Sequence, residues 1–194
     1  MKNILLIFFA IFFFKADAQR NRIKLGLMGV PMFQSGFGMG NIGFERLNKT
    51  QSSSWQIHFT FAGGSPAADA VTTNRKWLTF EKSFYLNRNR GKFNFYYSFF
   101  NETGKRTERP GFSHFEPDSI LQRTTTFEIN PGAGIGTQFR LKKKFKMEVQ
   151  AGPKLIIANG KKYYYNSLAK LEFTEPLNKL RGGFRFFGCI YYQF

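Results

Sequence analysis

One cysteine, two histidines and twelve carboxylates are all that this 194-residue chain offers to the commoner chemistries of binding and catalysis. The lone Cys189 excludes an internal disulfide, so the fold cannot be cross-linked that way. Zinc takes three or four suitable donors, and His58 and His114 are too few, so no metal or cofactor is expected. Long apolar runs are scarce as well. After Phe14 nothing approaches the roughly 20 apolar residues that a spanning helix needs. That absence does not exclude a membrane, because spanning β-strands give a much weaker signal than helices.

The N-terminus reads Met1-Lys2-Asn3, an apolar stretch from Ile4 to Phe14, then Ala16-Asp17-Ala18. A basic start, a short apolar core and a small-x-small end predict a cleavable secretory signal over residues 1–18. Lys15 interrupts the run too early for a transmembrane helix. Residues 19–194 are then expected to form a single domain.

What the chain has in quantity is aromatic and basic. It carries 26 Phe, 8 Tyr and 2 Trp beside 19 Gly, and 29 Lys and Arg against 12 Asp and Glu, a formal charge of +17. Clustered cations suit phosphate backbones, but an exported chain rarely meets nucleic acid. The basic residues also gather at predicted turns rather than along a groove. No nucleic-acid partner is expected.

The aromatics follow a period of two. In Gly183–Phe194 the set Phe184, Phe186, Gly188, Ile190 and Tyr192 alternates with Arg185, Phe187, Cys189, Tyr191 and Gln193. In Phe145–Ile157 the odd positions are all apolar, while Lys146, Glu148, Gln150, Gly152 and Lys154 fall between them. Phe127–Leu141, Phe93–Phe100, Lys76–Asn87 and Trp55–Ala62 split in the same way, with less regular strands near Ile23–Val30 and Phe37–Leu47. Alternation of this kind belongs to strands with one oily face. It predicts an all-β fold, an eight-stranded antiparallel up-and-down transmembrane β-barrel.

The connections support that reading. Short links are predicted at Asn48–Ser52, Asn87–Gly91 and Lys142–Lys144, and long ones at Gly63–Asn74, Asn101–Arg123 and Ala158–Leu180; only the first, around Pro31–Gly36, breaks the alternation by being short. Outer-membrane barrels have short periplasmic turns and longer extracellular loops. A soluble lipocalin-like barrel would put its oily face inside and be charged throughout on the other. Here the second face is rich in Gly, Ser, Thr and Asn, as a narrow lumen requires.

The segments Asn21-Arg22-Ile23-Lys24-Leu25, Ile42-Gly43-Phe44-Glu45-Arg46, Ser83-Phe84-Tyr85-Leu86 and Gly134-Ile135-Gly136, with Gly152 and the aromatic terminus, carry a resemblance. Together they resemble a family of small, uncharacterised Gram-negative outer-membrane β-barrel proteins. The resemblance implies a fold and a location, the cell outer membrane, and no catalytic residues. Phe194 likewise resembles the terminal signal by which the barrel-assembly machinery recognises its substrates.

Parity places Lys24, Glu45, His58, Glu81, Arg140, Lys146, Glu148, Lys154, Arg185 and Cys189 in the interior. Lys24 and Glu45 are expected to pair, whereas Lys154 and Arg185 have no evident acidic partner. Pro131 and Pro153 are expected near the outward rim at a bulge or the end of pairing, because proline cannot donate to the ladder. Lys82 sits on the oily parity and predicts an interfacial site or a register shift.

Two further groups bear on function. The segment Ser113-His114-Phe115-Glu116-Pro117-Asp118-Ser119 contains the residue types of a hydrolase or acyltransferase, without a nucleophile elbow. A basic collar of Arg88, Arg90, Lys92, Lys142, Lys143, Lys144 and Lys146, with Arg20 and Arg22, suits anionic headgroups or a periplasmic polymer. Tyr163, Tyr164 and Tyr165 fall in a predicted loop as an aromatic girdle or partner surface. The expectation is a monomeric barrel with a filled lumen and a structural, adhesive or surface-interaction role. No catalytic, cofactor or metal residues are assigned. The alternatives are a lipid-modifying acyltransferase or deacylase and a narrow pore.

Overall fold

A strand that buries only one face must find partners on both edges, and a sheet closed on itself supplies them without leaving an edge. A computed structural model of the chain, describing residues 21–32, 35–64, 72–87, 92–109, 120–142, 144–166 and 171–193, has this form. It is all-β: β1 (Asn21–Met32), β2 (Ser35–Leu47), β3 (Ser53–Gly64), β4 (Thr72–Tyr85), β5 (Phe93–Arg109), β6 (Ile120–Arg140), β7 (Phe145–Asn166) and β8 (Leu171–Gln193). Each strand pairs antiparallel with the next, and β1 returns to β8 through the pairs Arg22↔Gln193 to Leu25↔Ile190. The eight-stranded up-and-down barrel expected from the sequence is observed. Residues 1–18, Arg20, Arg88, Arg90, His114, Lys143 and Phe194, which carried several of the expectations above, lie outside the described residues.

The ring is staggered. A row of partners leaving Ile23 passes through Phe44, Ile57 and Phe80 and arrives at Gly182 on β8. Ile23 itself pairs with Tyr192, 10 residues further along that strand (192 − 182). Such a stagger makes strands tilt against the barrel axis, typically by about 35–45°. An eight-stranded barrel is just wide enough for its own side chains to fill.

Alternation along each strand then fixes what faces where. Leu25, Trp55, Phe59, Phe80, Phe95, Phe99, Ile135 and Phe186 stand exposed on the outer wall. Their neighbours one residue away, among them Lys24, Ser54, His58, Glu81, Asn94, Gly134 and Arg185, are buried inside. The polarity of a water-soluble domain is therefore reversed: oil outside, ions within.

The links from β2 to β3, β4 to β5 and β6 to β7 lie at the end that carries Asn21 and Gln193. The one between β2 and β3 is held by Asn48, whose Oδ1 accepts the backbone N–H groups of Ser52 and Ser53 at 2.9 and 3.1 Å. Gln51 takes the left-handed conformation there, with φ 56°.

Several expectations need correction. Asn101–Arg123 and Ala158–Leu180 are mostly strand rather than loop. β5 runs on to Arg109, β6 begins at Ile120, and β7 and β8 stay paired to Asn166↔Leu171. Polar side chains on both faces erase the alternating pattern there, but the backbone ladder needs no such pattern. Tyr163, Tyr164 and Tyr165 accordingly lie on β7, opposite Thr174, Phe173 and Glu172.

No bulge accompanies the prolines. The β6–β7 register is the same at Ile129↔Ile157, Gly132↔Lys154 and Ile135↔Ala151, and its one shift falls at Leu121/Arg123. Pro131 and Pro153 lie mid-strand and leave gaps in that ladder without displacing it. Lys82 also keeps its register, opposite Trp55 and Phe99. It lies near the β4–β5 turn with its Nζ over the Trp55 ring, 4.5 Å from the centroid. A cation at the margin of an apolar surface can stretch its head towards water in this way.

Candidate functional site

Burying an ion costs several kcal/mol unless charge partners and hydrogen bonds replace its hydration. The interior of this barrel therefore has to be an ordered network. Nearest the terminal end, Arg22 on β1 donates to Glu45 Oε2 and Gln138 Oε1, both at 3.2 Å, and to the Tyr191 hydroxyl at 3.3 Å. One turn of the pleat higher, Lys24 Nζ lies 2.6 Å from both Glu148 Oε2 and Gln56 Oε1 and 3.3 Å from Glu45 Oε2. Tyr85 donates a short hydrogen bond to Glu45, and Tyr96 donates to Glu148 Oε1 at 2.6 Å. Two cations, two carboxylates and three tyrosines form a neutral cluster with 0 % exposure at Arg22, Lys24 and Glu45. The expected Lys24–Glu45 pair is present, but Glu148 is the nearer partner.

The second layer is centred on Arg185. Its Nη1 meets Glu81 Oε2 at 2.8 Å, and its Nε meets Glu102 Oε1 at 3.2 Å. The guanidinium lies between the Phe100 and Phe187 rings, 4.3 and 4.9 Å from their centroids. Lys154 Nζ reaches Glu102 Oε2 at 2.6 Å. Gln150 donates to Glu81 at 2.8 Å and makes a short bond to Ser98. Both cations thus have acidic partners, contrary to expectation. The carboxylate they share is Glu102, which falls within a predicted loop.

Above this, Arg106 pairs with Glu108 and lies 3.6 Å from Glu128. Thr126 and Asn130 donate to the Glu128 carboxylate at 3.5 and 3.4 Å. The four ions around Lys24 and the four around Arg185 each sum to zero, whereas Arg106 faces two carboxylates.

His58 is fully buried. Its Nε2 is 2.9 Å from Gln56 Oε1, its ring meets Phe187 edge-on at 5.0 Å, and Nδ1 packs over Gly43, where even a methyl group would collide with it. This is the environment of a packing histidine, with no nucleophile hydrogen-bonded to it among the described residues. Cys189 is buried in a cluster with Phe187 and Tyr191. Among the described residues no three potential metal ligands converge.

The placements of Arg140 and Arg22 differ from what the sequence leads one to expect. Arg140 is exposed, because the strand ends there and its side chain leaves the lumen. Arg22 belongs to the interior rather than to a basic collar, while Lys146, expected both in the interior and in the collar, is buried inside. The signal for Arg22 was present: it shares parity with Lys24 two residues on. Gln56, Tyr85 and Gln138 carry the network between charges and were equally accessible by parity, but amides and phenols on a strand do not stand out in sequence.

No protein-family model matches the chain, and no curated protein does either.

Proposed function

We propose that this chain is a Gram-negative outer-membrane barrel, exported by residues 1–18 and inserted with the help of Phe194. It works as a monomer through its surface, in a structural or adhesive role, and not by catalysis. The family of small outer-membrane barrels named above is its proposed home. The observation that carries the reading is the reversed polarity of the wall. Trp55, at 64 % exposure, lies on the outer face with Phe95, Phe99 and Ile135, while Arg22, Lys24 and Glu45 are sealed inside. Water would penalise the outer face, and lipid would reward it.

The filled lumen supports a role at the surface over transport. Arg22, Tyr96, Tyr191, Lys24, His58, Gln56 and Gln138 are the largest fully buried side chains, and they occupy the space a channel would need. The tall walls formed by β5–β8 project well past the shorter β1–β3 and give the open end an asymmetric platform.

The two tryptophans test the location. Trp55 faces outward and Trp77 is buried. In bilayers with brominated acyl chains, a Trp77→Phe variant should lose most of its fluorescence to quenching. A Trp55→Phe variant should keep most of its own. Equal quenching, or a mature protein that stays folded and monomeric in detergent-free buffer, would overturn the membrane reading. A deletion strain with weakened surface attachment and an unchanged lipid profile would support the surface role. An altered acyl-chain profile would instead favour lipid chemistry.

A further inference from the structure

On β4, β5, β6 and β7, charge is sorted by face. Every carboxylate described on these strands, Glu81, Glu102, Glu108, Glu128 and Glu148, lies on the interior parity. The outer parity carries cations only. Apart from Lys82 near the terminal end, they gather towards the open end: Lys76, Lys105, Arg109, Arg123 and Lys161, all exposed. None of these five makes an ion pair with a described residue.

Their placement relative to the oily wall is specific. Lys76 pairs with Phe61 on one side and Lys105 on the other, and Lys105 pairs with Phe127. Phe61 and Phe127 are exposed at the top of the apolar belt, so the cations begin where the oil stops. Arg109 and Arg123 follow towards the open end, Arg123 lying over the Tyr163 ring at 4.4 Å from its centroid. Lys76, Lys105, Arg109, Arg123 and Tyr163, with intervening threonines, line a recess of about 500 Å³ on the outer wall.

Lys76 and Lys105 are direct cross-strand partners on that face. Like charges so placed destabilise a sheet unless an anion lies between them. A free anion would satisfy the charge but would leave Phe61, Leu78 and Phe127 unused. A lipid satisfies both, with its anionic head on the cations and its chains on the belt below.

We propose that this outer face is a binding site for the phosphorylated headgroup of a lipid in the leaflet at the open end. The inference rests on the membrane reading above and assigns that reading a specific lipid contact. It is separate from the basic turns at the terminal end.

The test uses the mature protein folded in neutral detergent micelles, with a fluorescent diphosphorylated lipid A as probe. Each cation near an anionic surface contributes about 1 kcal/mol, a factor of about five. A Lys76→Gln/Lys105→Gln/Arg123→Gln variant should therefore bind about a hundredfold more weakly. An Arg46→Gln/Lys49→Gln/Arg140→Gln variant, neutralised at exposed positions of the other rim, should bind like the wild type. Dephosphorylated lipid should bind neither, and excess inorganic phosphate should displace the probe poorly. Equal weakening in both variants would reveal unspecific charge attraction and overturn the proposal. Efficient displacement by inorganic phosphate would also overturn it, in favour of a free-anion site. Heat-dependent gel mobility of each variant keeps the two readings apart. A folded variant with undiminished binding refutes the headgroup site alone, whereas a protein that never inserts into micelles refutes the membrane reading and the site with it.

Discussion

Lys24 and Glu148 meet at 2.6 Å across the lumen, although β1 and β7 are not neighbours in the sheet. The contact ties strands whose shorter path through the sheet crosses the β1–β8 seam of four residue pairs. Removing Lys24 leaves Glu45 and Glu148 buried with a single guanidinium, that of Arg22, in their cluster. A Lys24→Met variant should therefore lose about 3–5 kcal/mol of unfolding free energy, the usual cost of breaking a buried pair. Lys24→Met/Glu148→Gln retains the Arg22–Glu45 pair and should lose less than either single variant. Urea titration of the barrel in micelles, followed by gel mobility, measures all three. A double variant weaker than both singles would refute the pairing.

Arg185 closes the middle of the lumen. It holds Glu81 and Glu102 together between two aromatic rings. The wild-type protein should give a flat trace in planar bilayers. Replacing Arg185 and Phe187 together with alanine removes most of that layer and should produce discrete conductance steps, provided the barrel still shows its heat-dependent mobility. Steps from the wild type would show that the network breathes enough to pass ions.

Inside and outside were legible in the sequence wherever the outer face is oily. Phe93, Phe95, Tyr97 and Phe99 point outward, and Asn94, Tyr96, Ser98 and Phe100 point inward, as alternation alone requires. The signal failed where both faces turn polar. From Asn101 to Arg109 the outer parity reads Asn, Thr, Lys, Thr, Arg and the inner one Glu, Gly, Arg, Glu, so nothing separates a strand from a loop. Losing that stretch hid Glu102, and with it the partner of Lys154 and Arg185. The Lys24–Glu148 contact was hidden for another reason. Parity says which side chains enter the lumen, but only the stagger of the closed ring says which of them meet.

Gly152 on β7 packs tightly against the backbone of β6. A methyl group on it would collide with the Ala133 carbonyl oxygen and the Gly134 Cα, which are backbone atoms that cannot swing away. Gly152→Ala should therefore cost about 1–3 kcal/mol, the range for overpacked interiors. Gly182→Ala is the control, since a methyl there meets nothing within 4 Å. It should be neutral or slightly stabilising, because glycine is a poor strand residue. The difference between the two urea midpoints is the readout. Equal midpoints would mean that the β6–β7 approach relaxes without cost.

Cys189 is the only thiol in the chain, which makes it a clean probe of whether the lumen is sealed. It is buried on the inner face of β8, in one cluster with Phe187 on the Arg185 side and Tyr191 on the Arg22 side. Tyr191 also accepts a hydrogen bond from Arg22 and lies under the Lys24 ammonium, 5.2 Å from its ring centroid. A water-borne maleimide therefore has to pass that layer to reach the sulfur from the terminal end. Folded wild-type protein should stay unlabelled for as long as it stays folded, and urea should expose the thiol at once. Tyr191→Ala removes the ring without adding charge and should speed labelling of the folded barrel by at least about tenfold, equivalent to roughly 1.4 kcal/mol of opening free energy. Rapid labelling of folded wild type would mean that the ion network is an open lattice rather than a plug. Unchanged labelling of Tyr191→Ala would mean that Arg22, Lys24 and Glu45 close the terminal end without the ring.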